Sequence, residues 1–351
     1  ANCFGEDNLS LAARSEWTDE NTDMILDCAS DPYTNEQWKS ADKPFQFLAA
    51  AMEWKGFVEM GEDGFSFVSH LPIAQDGSCN ALQHLAALMG CKETATSTNI
   101  VPSDVPNDLY GLVLDSVKVR LAACDDPLAK PWLDRIIREI VKRPAMTFGY
   151  GCTIGGIRKQ IREELEKLIA DGVVVPFDDD VTPQVAANYL GPIVQAGIAD
   201  HVVKGKECMD WLQHVAEELA REGLQMKWET PTGFPVEQAY YEDEPDMVKI
   251  TWRGKTQQIR LRKRTNVINK NGSKRGAAPN FVHSLDASMM CMTVNDCAKK
   301  YGIDSFAAIH DSYAVHAADT GTLFVATRDA FTKLYEKDQL QTLYEKLRKD
   351  S

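Results

Sequence analysis

No stretch of eighteen consecutive apolar residues occurs in the 351-residue chain, so no segment is expected to cross a membrane as a helix. The nine cysteines stand singly at 3, 28, 79, 91, 124, 152, 208, 291 and 297, with no CxxC pair among them. That spacing excludes zinc ribbons and dithiol redox motifs, and it fits buried or inert thiols in a reducing cytosol. Neither a basic flank nor an apolar core marks the N-terminal residues, so no secretory leader is read there. Internal repeats and low-complexity tracts are missing too. Base is in deficit: 38 Lys and Arg face 52 Asp and Glu, a net charge of −14. Phosphate backbones reward cations, so the sum taken alone argues against nucleic acid.

The distribution of that charge points the other way. Acid is concentrated at 16–31, 178–180 and 242–246. Base is concentrated at 135–143 and, most densely, in Arg260, Arg262, Lys263, Arg264, Lys270, Lys274 and Arg275. An acidic body with a basic cleft is compatible with a polymer substrate. At 44% hydrophobic and 26% charged, the chain can bury a sizeable core, as two domains or as one domain with a large insertion.

The hydrophobic periodicity predicts an α+β protein that is mostly helical. Helices are expected at 23–29, 44–54 and 80–89. More follow through 107–142 (interrupted at Asp125-Asp126-Pro127 and Lys130-Pro131), at 154–171, through 184–223, and at 281–301. Short strands are expected at 65–68 and 71–74 as one hairpin-like pair, with a β stretch from Met226 and an acidic loop at 176–180. Val248, Ile250 and Trp252 alternate with polar residues before Arg253-Gly254, and Ile259 and Leu261 alternate on the return, so 246–264 reads as a β-hairpin. Strands at 306–309 and 313–315 flank His310-Asp311.

Two aspartates sit where strands end. Asp76 precedes Gly77 and Ser78, and Asp311 lies at the tip of a strand-turn-strand. Carboxylates on adjacent strands can share hard divalent cations, and a carbonyl such as that of Gly77 can approach a metal closely. Such a pair can clamp the attacking and leaving oxygens of a phosphoryl displacement. Taken singly, each Asp also reads as an ordinary turn residue. Arg138, Lys142, Met146 and Tyr150 recur in steps of four, which predicts a shared helical face. A cationic pair there suits a nucleotide triphosphate, with Lys142 neutralising charge on leaving pyrophosphate and Tyr150 closing over base and sugar. A solvated basic helix face remains the plainer reading. His283 reads equally as a core histidine, and the 246–264 ribbon either as an edge hairpin or as an element that fits a DNA major groove.

Taken in order, these segments resemble the motifs of the single-subunit, bacteriophage and mitochondrial type DNA-dependent RNA polymerases. Asp76-Gly77-Ser78-Cys79-Asn80-Ala81-Leu82-Gln83-His84 resembles motif A. Arg138 to Gly151 resembles motif B, and Ile309-His310-Asp311-Ser312 resembles motif C. Pro279-Asn280-Phe281-Val282-His283-Ser284 is similar to the segment that family members place against the minor groove of the growing hybrid. The resemblance runs from residue 1 to about 340. It implies a right-hand polymerase: palm at 1–110 and 265–351, inserted helical fingers at 111–225, and a β stretch with a specificity-loop hairpin at 226–264.

By position it implies two Mg²⁺ ions held by Asp76, the Gly77 carbonyl and Asp311. It also implies triphosphate contacts from Arg138 and Lys142, ribonucleotide selection by Tyr150 with His283 near the ribose, and Tyr110 as a further pocket residue. His310 and the hairpin cations Arg260, Arg262, Lys263 and Arg264 are expected on nucleic acid. The partners implied are template and promoter DNA, RNA product and NTPs, with phage-type transcription in a host cytoplasm or in a mitochondrion. The reaction implied is in-line attack of a 3′-hydroxyl on an α-phosphate.

Pro144 inside motif B predicts a kink or a new helix start. The family's DxxGR segment, thumb, N-terminal domain and C-terminal foot are not found in the sequence, so a fragment or a split-enzyme subunit is expected, with a second polypeptide or segment supplying them. Two rivals are a family A DNA polymerase and a catalytically incomplete nucleic-acid-binding subunit. Gly77-Ser78-Cys79 with no Glu before Gln83, and Met146 where the DNA enzymes carry Phe, favour ribonucleotides.

Overall fold

Ser10 caps the first helix, its hydroxyl accepting the Ala13 N–H at 3.2 Å. In the computed structural model, which describes residues 1–6, 9–178 and 180–350 of the chain, that helix is α1 (Leu11–Glu20). It is followed by α2 (Thr22–Ser30) and α3 (Pro44–Glu59). Pro44 opens α3, where its missing N–H forfeits no intrahelical bond. Ile25, Cys28 and Ala29 of α2 bury a small core with Phe47 and Ala51 of α3, and Phe4 and Trp17 pack on it. Strand β1 (Ile73–Gln75) comes next.

Eight helices follow: α4 (Asn80–Leu88), α5 (Lys92–Ser97), α6 (Leu109–Ala122), α7 (Ala129–Leu133), α8 (Arg138–Phe148), α9 (Ile154–Ala170), α10 (Pro183–His201) and α11 (Val203–Arg221). Their apolar residues recur at helical spacing, which selects the buried face. Helix α6 buries Val113, Val117 and Leu121, α9 buries Ile157, Ile161 and Leu165, and α10 buries Leu190, Val194 and Ile198. Helix α10 packs on both α6 and α9, and α8 packs on the same two.

Strands β2 (Lys227–Glu229) and β3 (Pro235–Glu237) pair antiparallel, as do β4 (Tyr241–Trp252) and β5 (Lys255–Ile268). The chain ends with α12 (Lys270–Tyr301), β6 (Ala307–Ile309), β7 (Ser312–Val315), α13 (Thr320–Leu334) and α14 (Gln339–Asp350). Two compact units result. One comprises Ala1–Ser78, Asn99–Asn107 and Met290–Phe331; the other comprises Cys79–Thr98, Asp108–Met289 and the chain from Thr332 onward. The molecule is thus α+β and mostly helical, as the periodicity predicts.

Several local expectations are corrected. The strand expected at 65–68 does not form: Gly61–Ser66 is a 3₁₀ turn, and β1 pairs with β7 instead of a neighbour in sequence. Ring packing uses that segment up, with Phe57 and Phe67 crossing edge-on at 6.3 Å. Lys130-Pro131 does not interrupt a helix, because Pro131 falls in the first turn of α7. Helix α8 runs through Pro144 as one element but ends at Phe148, so Tyr150 lies in the turn beyond it and shares no helical face with Arg138. Helix α12 starts eleven residues before the expected 281, because Gly272 and Gly276 let it close on Tyr240. Asp179 of the expected acidic loop lies outside the described residues.

Candidate functional site

One group of candidate residues sits at a strand end in the first unit. Sheet order is β1-β7-β6, all antiparallel, with β7 central and its Tyr313, Ala314 and Val315 buried. Ile309 pairs with Ser312, so His310-Asp311 forms a two-residue hairpin turn, with His310 at φ 54° and exposed. On the other side of β7, Gln75 pairs with Tyr313. The next residue after β1, Asp76, therefore leaves the sheet at the same end as Asp311. Asp76 is exposed and its Oδ1 accepts the Gly77 N–H at 3.1 Å, while Asp311 is half-buried. Gln75 anchors β1 by donating from Nε2 to the Thr320 carbonyl at 2.7 Å. Among the described residues no cluster of three or more His, Cys, Asp or Glu side chains gathers as a metal site. The donors at this tip are two carboxylates and main-chain carbonyls.

A separate cluster lies within the second unit. Tyr150 stacks on His283, with ring centroids 4.4 Å apart and planes at 11°. Gly151 at φ 75° makes the turn that presents Tyr150, and only a residue without Cβ adopts that conformation readily. Gly149 lets this turn rest on α4: a Cβ there would lie 2.7 Å from the Ala81 Cβ. Helix α12, which carries His283, is tied to α4 by a buried bond from Asn80 Nδ2 to Asp286 Oδ1 at 2.7 Å. It is tied to β2 by Trp228 Nε1 donating to Ser284 Oγ at 3.0 Å.

Arg138 is the first residue of α8 and makes a two-point ion pair with Asp108, Nε to Oδ2 at 2.7 Å and Nη2 to Oδ1 at 2.9 Å. Its guanidinium lies 5.0 Å from the Tyr110 ring centroid. Lys142, one turn on, is exposed. The other cations of that stretch are engaged structurally. Arg143 pairs with Glu163 at 2.8 Å, and Arg135 donates to the Val175 and Pro176 carbonyls at 3.0 and 3.1 Å.

The structure thus brings together Tyr150 with His283, and Arg138 with Tyr110. Sequence reasoning missed Asp108, Asn80 and Asp286. Asp108 could have been found as the cap of α6, where its side chain accepts the Tyr110 N–H at 3.1 Å, but not as the partner of Arg138.

The hairpin cations divide into two kinds. Register sets Asp243 opposite Arg264 and Glu244 opposite Lys263, whereas Arg262 faces Pro245 and Arg260 faces Met247. Arg264 also donates to the Ala239 carbonyl at 3.1 Å and covers the Tyr241 ring at 4.0 Å. The Lys263 ammonium lies 3.9 Å from Glu244. Arg260 and Arg262 stand exposed without an acid directly across the ladder.

His84, in the helix that follows Asp76, is fully buried, its Nδ1 sharing a hydrogen bond with the Tyr335 hydroxyl at 2.6 Å. Burial pushes its pKa down from 6.5 to about 3. The folded protein keeps this ring neutral, while the unfolded chain takes up a proton below its ordinary value. Stability is therefore unaffected above about pH 6.5 and falls as pH drops from there toward the folded value, by up to about 1.4 kcal/mol per pH unit. Urea unfolding at about pH 7 and 5 checks this, because His84→Gln should flatten the loss. Equal slopes in both proteins would remove His84 from the acid sensitivity.

Comparison with known proteins identifies the family. Residues 1–351 match the model of the DNA-dependent RNA polymerases, and the chain belongs to that family. It is 32% identical to the DNA-directed RNA polymerase of Enterobacteria phage T3, over 97% of this chain and 43% of that protein. It is 34% identical to the mitochondrial enzyme of Schizosaccharomyces pombe, over 98% of this chain and 30% of that protein. It is also 34% identical to the chloroplastic DNA-directed RNA polymerase 3 of Nicotiana sylvestris, over 97% and 35%. The chain spans less than half the length of these relatives. No helix among the described residues is long and apolar enough to cross a membrane.

Proposed function

We propose that this chain is the palm-and-fingers catalytic region of a DNA-directed RNA polymerase, adding ribonucleotides to an RNA 3′ end on a DNA template. The observation that supports this most is the strand register that brings Asp76 and Asp311 out at one end of the β1-β7-β6 sheet. In this reading residues 1–110 and 265–351 form the palm, 111–225 the fingers, and the β4–β5 ribbon the specificity loop that reads promoter DNA. Further chain, from a second polypeptide or a longer protein, supplies the thumb and N-terminal domain.

The oxygen-only donor set, two carboxylates and the Gly77 carbonyl, suits Mg²⁺, which keeps much of its shell for water and phosphate. Held there, two such ions would supply Lewis-acid activation of the hydroxyl and neutralisation of the leaving oxygens. The 3′-oxygen forms a bond to the α-phosphorus, the bond to pyrophosphate breaks, and the hydroxyl proton passes to solvent water. Asp76 and Asp311 supply the negative charge that retains the cations. Arg138 and Lys142 neutralise the triphosphate, Arg138 as a fork and Lys142 as a point charge. The stacked Tyr150 and His283 border the ribose and read its 2′-hydroxyl. Arg260 and Arg262 face DNA, with His310 at the primer end.

Extension of an RNA primer on a short DNA template tests this reading, with NTPs or dNTPs, by this chain together with the segment supplying the thumb. Extension with NTPs that stops in EDTA is expected. Tyr150→Phe should lower the preference for NTPs over dNTPs by about five- to a hundredfold, the worth of one hydrogen bond in a closed pocket. A wild-type preference for dNTPs would overturn the choice of sugar, and no extension with the complete assembly would overturn the function.

A further inference from the structure

We propose that Asp108 is the positioning residue of the nucleotide pocket, aiming the Arg138 guanidinium at the incoming triphosphate while holding Tyr110 in place. This rests on the reading of Arg138 as a triphosphate ligand and adds the residue that prepares it.

Three observations converge on Asp108. Its carboxylate engages the Nε and Nη2 edge of Arg138 at both oxygens, which locks the plane of the guanidinium and leaves the Nη1 edge to face an anion. The same carboxylate caps α6 by accepting the Tyr110 N–H, so its own direction is set by main chain. The Tyr110 ring lies under Arg138 at 5.0 Å, and its hydroxyl is hydrogen-bonded to Cys79, three residues beyond Asp76 in sequence. Cys79 is held at φ 68°, a conformation that a non-glycine residue keeps only when its surroundings impose it. The run Cys79, Tyr110, Arg138, Asp108 thus forms one connected unit that includes a residue of motif A.

The electrostatics agree. Partial burial acts to raise the Asp108 pKa, but the hydrogen bond and charge of Arg138 outweigh it and hold the carboxyl below its ordinary value. Donating to Asp108 likewise raises the Arg138 pKa. Both groups are charged throughout the neutral range.

The sign of the effect separates positioning from simple charge. Asp108 is an anion next to a site for an anion, so removing its charge would by itself tighten triphosphate binding. Only lost geometry weakens it. Asn caps a helix as well as Asp does, so Asp108→Asn preserves α6.

Equilibrium binding of MgATP and of inorganic tripolyphosphate to the chain, followed by calorimetry, decides the matter. Asp108→Asn should weaken both by about tenfold, a loss typical of a bond to a charged group, with the melting temperature little changed. Arg138→Ala should weaken both at least as much. The double variant should bind no worse than Arg138→Ala alone, a non-additivity that a merely structural role would not produce. If Arg138→Ala weakens binding but Asp108→Asn leaves it unchanged or tightens it, the positioning role is overturned and the pocket stands. If the wild-type chain binds neither probe, or Arg138→Ala has no effect, the reading of the pocket falls and the positioning role with it.

Discussion

Asp311→Asn should reduce nucleotide addition by on the order of 10³-fold or more while leaving the fold and template binding near wild type. The variant keeps the size and shape of the side chain, and Asn is well tolerated in a two-residue turn. What it removes is one negative charge from a tip where the carboxylates are Asp76 and Asp311. Each ten-fold loss of rate corresponds to about 1.4 kcal/mol of transition-state stabilisation, and retention of cations supplies several kcal/mol. Asp76→Asn should match it. The double variant should be little worse than either, because two groups that hold one constellation fail together. Single-turnover extension, with fluorescence anisotropy for DNA binding, reads both sides of the prediction. Elongation by Asp311→Asn within about tenfold of wild type would take Asp311 out of the chemistry.

Trp132→Ala should destabilise the unit that carries Arg138, Tyr150 and His283 by about 3–5 kcal/mol, read as a lower urea midpoint at unchanged slope. The Trp132 side chain is wholly buried, and its indole N–H donates to the Ala186 carbonyl at 3.1 Å. Its ring meets Phe177 edge-on at 5.0 Å, and the Arg135 guanidinium lies over the Phe177 ring at 4.7 Å. Truncation opens a cavity between α7 and α10 that a rigid helical stack fills poorly, and it releases the loop carrying Phe177. Total stability of about 5–15 kcal/mol is usual, so the loss is a large fraction of what is present. Trp132→Phe should cost less, because it retains the edge-on contact and most of the volume. A loss below about 1 kcal/mol for Trp132→Ala would mean that the helices close over the gap.

Much of the fold is legible in the order and spacing of the residues. Helices α2, α3, α4, α6 and α9 follow their apolar spacing closely, since a period of 3.6 is written in single residues, whereas the run expected at 184–223 is divided at Val202 into α10 and α11. The β4–β5 ribbon is legible from its alternation and from Arg253-Gly254, whose φ values of 49° and 75° suit a two-residue hairpin turn. The strand expected at 65–68 does not form because an alternating pattern specifies a half-buried segment but not its partner. Counting in fours sets Tyr150 on a helix face, and the helix stops two residues short.

Residue type, spacing and caps are local properties, and they suffice for the order of the motifs, the helical character of the middle of the chain and the turn positions of Asp76 and Asp311. The family follows from these. Packing in three dimensions was needed to join β1 to β7 and to lay Tyr150 flat on His283. It likewise sets Asp108 against Arg138, and puts acids across from Arg264 and Lys263 but not from Arg260 and Arg262. Such pairs join residues distant in the chain, or depend on ladder register and rotamer. Their geometry follows from how whole elements close on one another, which no local pattern specifies.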